Sequence, residues 1–486
     1  MSPPGRRDPP TAPPGLWQRP EMVRALADRD MGAVVKMFRR WTGASQTDVS
    51  VLVGMPQSHV SDLERGVRRV TSLDLFERFA DGLGIPRGLL GLAERDSGPP
   101  PGDPVADSQR RWRQTRHFLG THRTELTRLA SRLYPESDRL DDTGLLSPPT
   151  WRLAEPVDLA AVRLVWRRTT ALPAITGGER EALRLRPLTR RGREYSRYHR
   201  AVRDLARPGL FENRLCYRLL DARTGRPHGA GGYALRLTLG EMTYFDMIDV
   251  GEALAHEIAL TAADERGRLV PERVCWERLP FRRLVAQPAA LDRYPLMISV
   301  STLTVRRGRS GATFFLLRRD PAKVAIAGGM LSVFPTGVFQ PASVLRAPDS
   351  PDFDLWRNIM REYSEEYLGN PEHDGGGPPI NYAEEEPFRS LDRARADGGV
   401  TVYCLGLGID ALNYVGDLLT VAVFDDRTFD TVFREMVDRN DEGDVAEEFA
   451  FDKPTVRHLL RSVPMAPSGA ACLRLAWQHR ARLFRP

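Results

Sequence analysis

Four consecutive pieces decide the architecture of the N-terminal region: MGAVVKMFRRWTG (31–43), ASQTDVSVLVG (44–54), MPQSHVSDLERG (55–66) and SLDLFERFADGLG (72–84). Each predicts a short helix with its own start and stop. The first ends at Gly43. Ser45 caps the second, with Asp48 three residues on as a capping-box partner weaker than glutamate. Gly54 and Met55 form a tight turn, because only glycine takes a left-handed backbone cheaply. Pro56 opens the third helix in its first turn and Gly66 stops it. Leu73, Leu75, Phe76, Phe79 and Leu83 give the fourth its core face, and a short fifth follows Pro86.

The order of these signals over Met31–Leu90 resembles the Cro/repressor type of helix-turn-helix, the XRE class of regulators. The residues that carry the resemblance are Ser45-Gln46 opening helix two, Val49 and Val53 on its inner face, Gly54 in the turn, Val60 and Leu63 inward on helix three, and the Glu64-Arg65-Gly66 end. Two helices joined by a tight turn brace each other so that the second enters a major groove. With Val60 and Leu63 turned inward, Gln57, Ser58, Ser61 and Asp62 face outward. The resemblance implies that Gln57, Ser58 and Asp62 read base edges, with His59 and Ser61 near the DNA backbone. Gln46 falls where the family touches a phosphate, and Arg68 and Arg69 are expected to contact phosphates as well. Residues 31–92 carry a net charge of only +2. Non-specific affinity is therefore modest, and a homodimer on an inverted-repeat operator in double-stranded DNA is expected to supply the remaining contacts.

The 486 residues are 41% apolar and 28% charged, which excludes global disorder and favours several domains. No apolar run approaches bilayer-spanning length. The opening MSPPGRRDPPTAPPG has no apolar core, so no secretory leader is expected and the chain is expected in the cytoplasm, away from membranes. Cys216, Cys275, Cys404 and Cys472 are too scattered for a disulfide framework or a zinc spacing. The net charge of +6 divides into +11 over residues 1–250 and −5 over 251–486, so the N-terminal half suits a polyanion. Only Lys36, Lys323 and Lys453 among the 70 basic residues are lysine, a bias that carries no phosphate-binding argument by itself.

Composition shifts mark the expected boundaries: a disordered Pro-rich arm (1–20), the DNA-binding head (21–94), a Pro-rich linker (95–108) and a helical connector (109–149). A middle α+β region (150–290) and a C-terminal α+β domain (291–486) complete the chain. In the connector, the apolar face of Gln109–Tyr134 is an expected dimer contact. The fold class is thus multidomain: an all-α head of five short helices plus a layered α/β/α module. No repeat points to a solenoid.

A second motif lies in that module. Glu362, Glu365 and Glu366 stand at i, i+3 and i+4 of a predicted helix over Asp352–Leu368, sharing one face. Clustered carboxylates need a cation between them, and a magnesium ion bridging to phosphate oxygens is one solution. The segment Arg361–Gly369 resembles the Nudix box, and the strand FFLLRR with the turn PTGVFQP resembles what precedes that box. Departures are the aromatic Tyr363 at the aliphatic position, one extra residue before Gly369, and Ala347 and Phe353 at the upstream Gly and Glu positions. Taking Gly337 as the equivalent glycine requires an insertion. The resemblance therefore implies a Nudix-like module that holds a nucleotide-like ligand through magnesium at these three glutamates without turnover.

Other signals carry less. His256-Glu257 starts a metalloprotease pattern, but position 260 is Leu. The glycine runs after His228 and Asp374 lack a phosphate-loop context and read as turns. Arg184–Arg203 reads as a solvated face, and no Gly-x-Ser-x-Gly elbow is present. The sequence thus points to a sequence-specific DNA-binding transcriptional regulator, needing no cofactor to bind DNA, whose C-terminal module senses a ligand or mediates assembly. A Nudix-type hydrolase of a nucleoside-diphosphate derivative with an accessory DNA-binding head is the alternative, and an antitoxin-like scaffold the third reading.

Overall fold

The computed structural model describes residues 12–13, 15–55, 57–70, 73–92, 103–168, 172–208, 211–226, 232–309, 311–319, 330–373, 375–437 and 443–484. They fall into two units, Met1–Asp103 and Pro104–Pro486.

The first unit is all helical: α1 (Pro20–Ala27), α2 (Met31–Thr42), α3 (Gln46–Val53), α4 (Gln57–Arg65) and α5 (Leu73–Leu83), with 3-10 turns at Leu16–Gln18 and Arg87–Leu90. Asp30 caps α2 by accepting the Ala33 N–H at 3.0 Å. Ser45 and Asp48 form the reciprocal capping box of α3. Val34, Val35, Phe38, Val49, Val60 and Phe79 meet in a core sealed from solvent. The expected arm is corrected here at its C-terminal end. Leu16 and Trp17 are buried, and the Trp17 ring stacks on Phe38 with centroids 6.0 Å apart. A large indole gains more by burial than a Pro-rich neighbourhood loses by ordering. Residues 1–11 lie outside the described residues.

The second unit opens with α6 (Pro104–Thr121) and α7 (Arg123–Ser131), followed by β1 (Leu145–Leu146), β2 (Arg152–Asp158) and β3 (Val162–Trp166). Then come α8 (Arg180–Leu183), α9 (Tyr198–Leu205), β4 (Leu215–Thr224), β5 (Leu235–Thr243), α10 (Tyr244–Met247), α11 (Ala253–Ala262) and α12 (Pro280–Val285). The C-terminal part contains β6 (Ile298–Gly308), β7 (Gly311–Arg319), β8 (Leu331–Val333), β9 (Thr336–Val338), α13 (Leu355–Glu362) and α14 (Phe388–Ala396). It closes with β10 (Val400–Asp410), β11 (Gly416–Asp425), α15 (Asp426–Val432), β12 (Gly443–Ala450), α16 (Lys453–Ser462), α17 (Pro467–Gln478) and α18 (Arg480–Leu483).

The main sheet runs β1-β10-β11-β6-β7-β12, with β6 and β11 parallel and its other neighbours antiparallel; a small sheet runs β3-β5-β4. Strand alternation builds the layers. Leu419, Val421 and Val423 of β11 and Leu303 and Val305 of β6 pack with Ala471 and Leu473 of α17. Leu418, Ala422 and Phe424 join Ile359 and Tyr363 of the opposite helical layer.

Three expectations change. Residues 104–486 form one unit rather than a connector, a middle region and a C-terminal domain, because β1 and β2 both pair with β10. The helix expected over Gln109–Tyr134 is two helices, and α6 begins inside the expected linker, where Pro104 in the first turn needs no N–H partner. Its apolar face packs on α11 within the unit, so it is not a free dimer surface. No described helix is long and apolar enough to cross a membrane.

Candidate nucleic-acid interface

The turn between α3 and α4 depends on Gly54, whose φ of 62° is left-handed. Arg78 of α5 braces it from behind by donating from Nε to the Val53 carbonyl at 3.0 Å. Val60 and Leu63 anchor α4, while Gln57 and Ser58 are exposed and His59, Ser61 and Asp62 are half-exposed. The outward set expected on the third helix is therefore presented on one short element.

Below it runs a hydrogen-bonded ladder. Arg39 Nη1 donates to both carboxylate oxygens of the buried Glu64, at 2.6 and 2.9 Å. The Gln46 amide also donates to Glu64. Gln57 Nε2 in turn donates to Gln46 Oε1 at 2.6 Å. The ladder ties the start of α3 and the start of α4 to the end of α4 and to α2. Arg39, Glu64 and Arg78 are the parts that sequence reasoning missed as site residues, since each meets a partner from a different helix. Asp62 accepts from Arg65 at 2.5 Å, and Arg68 Nη1 lies 3.4 Å from His59 Nδ1. Arg69 is exposed.

The acidic helix is placed differently from expectation. Asp354 caps α13, but a π turn occupies Tyr363–Tyr367. The wider turn carries Glu365 off the face of Glu362, whereas Glu366, four residues on, stays beside it against β9. Glu366 accepts the Thr336 N–H at 3.0 Å, and Glu365 accepts the His373 N–H at 3.1 Å. Glu362 lies against Gly337, where a Cβ would come within 1.8 Å of its Oε1. Arg361 faces the buried Asp352 at 3.3 Å instead of these glutamates. Among the described residues, no three His, Cys, Asp or Glu side chains converge as a metal-holding group. Burial pushes the Glu365 carboxyl up to about 7, against the bond from His373, and nearby Glu372 adds to the rise.

His256 is a satisfied core histidine, buried with Nδ1 3.0 Å from the Tyr198 hydroxyl. Burial lowers it to about 3, so it stays neutral. Glu257, fully buried, accepts the N–H groups of Phe281 and Arg282 at 2.9 and 2.8 Å. All four cysteines are free thiols.

No curated protein matches the chain. Over residues 30–92, the stretch that runs from the cap of α2 to Leu92, the chain matches the family model described as a helix-turn-helix domain.

Proposed function

We propose that the protein is a sequence-specific transcriptional regulator of the Cro/repressor (XRE) kind, bound as a homodimer to an inverted repeat, with residues 104–486 receiving a ligand that modulates it. The observation that carries this reading is α4 itself: an apolar side locked into the core, a polar side presented, and Gln57 held in place through Gln46 and Glu64. Gln57 suits adenine, whose N7 accepts from the amide N–H while its N6 amino group donates to the amide oxygen, and Ser58 and Asp62 lie on the same helix. His59, Ser61, Arg68 and Arg69 border the DNA backbone and fix the register.

Replacing Gln57 with alanine should cost about 1–3 kcal/mol of discrimination at one base pair. Gln46→Ala should weaken all operator variants alike, since it removes a phosphate contact. Competition binding across single-base operator variants measures both. An unchanged ranking in Gln57→Ala would remove its base-reading role. Footprinting on the DNA upstream of the protein's own gene tests the assembly: two half-sites about one helical turn apart support the dimer, and a single half-site overturns it.

A further inference from the structure

A cavity of about 430 Å³ opens in the second unit between the α7–β1 connection and the loop after α12. Its size suits a small organic molecule. Tyr134 and Trp276 form two walls, with ring centroids 5.5 Å apart and planes at 89°. Both polar tips are already engaged. Trp276 Nε1 donates to the Leu133 carbonyl at 3.1 Å, and the Tyr134 hydroxyl is shared by Tyr414 and Arg282. The two rings therefore offer a ligand apolar surface and π electrons rather than hydrogen bonds.

The remaining wall is built, not collapsed. Ala286 has φ 55° and ψ −59°, and the Gln287 N–H closes a three-residue turn onto the Val285 carbonyl at 2.6 Å. Such γ-turns with positive φ are rare and strained, and strained backbone of this kind gathers at ligand sites. Leu146 and Ile409, both buried, line the cavity as well.

One lining residue carries charge. Asp138 is half-exposed and makes no side-chain hydrogen bond or ion pair with the described residues. Its neighbours Arg139 and Arg152 donate to carbonyls and not to its carboxylate: Arg139 to those of Arg132 and Tyr134, and Arg152 to those of Ser137, Arg139 and Ser147. A negative charge beside two orthogonal aromatic rings attracts a positive charge on an apolar body.

We propose that this cavity binds a small organic cation, an ammonium carrying alkyl or aryl groups. The carboxylate of Asp138 pairs with its charge, while Trp276 and Tyr134 pack against its carbon groups. The site does not depend on the DNA-binding reading, because binding is read on the protein alone and operator affinity is measured separately.

The test is calorimetric titration of the full-length protein with benzyltrimethylammonium and with neutral benzyl alcohol. Saturable binding of the cation, at least about tenfold tighter than the alcohol, is expected. Asp138→Asn should weaken the cation by about tenfold and leave the alcohol unchanged. Trp276→Leu should weaken both, and unfolding midpoints of the variants control for folding. Equal binding of the two probes by the wild type, or no binding at millimolar concentration, overturns the proposal without reference to any variant. Cation binding undiminished in Asp138→Asn overturns it as well.

Discussion

Replacing Glu252 with glutamine should destabilise the 104–486 unit by about 3–5 kcal/mol, because it removes one partner of a buried charge cluster and strands the others. Glu252 is almost fully buried at the end of the π turn Ile248–Glu252. It accepts from Arg116 at 2.5 Å and from Arg123 at 3.0 Å, two cations delivered by α6 and α7. Burial alone would push the Glu252 carboxyl up, yet the two guanidinium groups hold it down at about 2. The folded-state value thus lies below the ordinary one near 4.5. Its contribution is full above that ordinary value and is lost as the pH falls toward 2. Urea unfolding at neutral pH should therefore separate variant from wild type widely, and the gap should narrow as the solution is acidified through this window. Equal midpoints at neutral pH would show that the cluster does not support the fold. The same cluster explains why α6 and α7 belong to this unit: their arginines complete a site whose carboxylate comes from the segment leading into α11.

How much of this was legible in the sequence depends on distance along the chain. The cap at Ser45 and Asp48, the turn at Gly54 and the inward pairs Val49/Val53 and Val60/Leu63 are local, and α3 and α4 start and stop where these residues require. The helix that Asp354 caps was local too, although it starts at Leu355 and not at the expected Asp352. The π turn at Tyr363–Tyr367 was not. Nothing in Tyr-Ser-Glu-Glu-Tyr announces an extra residue per turn; it accompanies the burial of both tyrosines against the sheet, where the Tyr363 hydroxyl meets Thr304 at 2.9 Å. Glu362 and Glu366 still meet the same strand, and only Glu365 leaves the face that a uniform helix period predicts. Trp17 was misread for a similar reason. Its partner Phe38 lies in another helix, while its immediate neighbours are prolines. The expected domain boundaries at 150 and 290 failed because β1 and β2 find their partner only at β10. Composition shifts cannot register such a pairing. In the head, the ladder from Arg39 through Glu64 to Gln46 and Gln57 joins residues already present in the quoted stretch, and only the fold makes them neighbours.

Gly32→Val should abolish operator binding, because the interface is carried on a helix that approaches its neighbour through a single missing side chain. Gly32 lies in the first turn of α2, facing α4. A Cβ there would lie 2.2 Å from the Leu63 carbonyl oxygen and 3.1 Å from its carbon. The obstacle is backbone, so no rotamer change relieves it. Gly82 of α5 repeats the arrangement against α3, with a Cβ 2.2 Å from the Leu52 carbonyl oxygen. Each helix of the pair is thus seated on its support by a glycine, although glycine inside a helix costs about 0.5–1 kcal/mol relative to alanine. Valine at position 32 would force α4 outward, breaking the seating of Val60 and Leu63 and separating Arg39 from Glu64. Overpacking of this kind costs about 3 kcal/mol at the upper end of its usual range. Gly88→Ala is the control: nothing lies within 4 Å of its Cβ position and its stability should stay within about 0.5 kcal/mol of wild type. Thermal melts followed by circular dichroism, together with operator titrations at low temperature, distinguish the two variants. Wild-type affinity and melting in Gly32→Val would mean that α2 and α4 do not meet through this glycine, and the account of how α4 is aimed would fall with it.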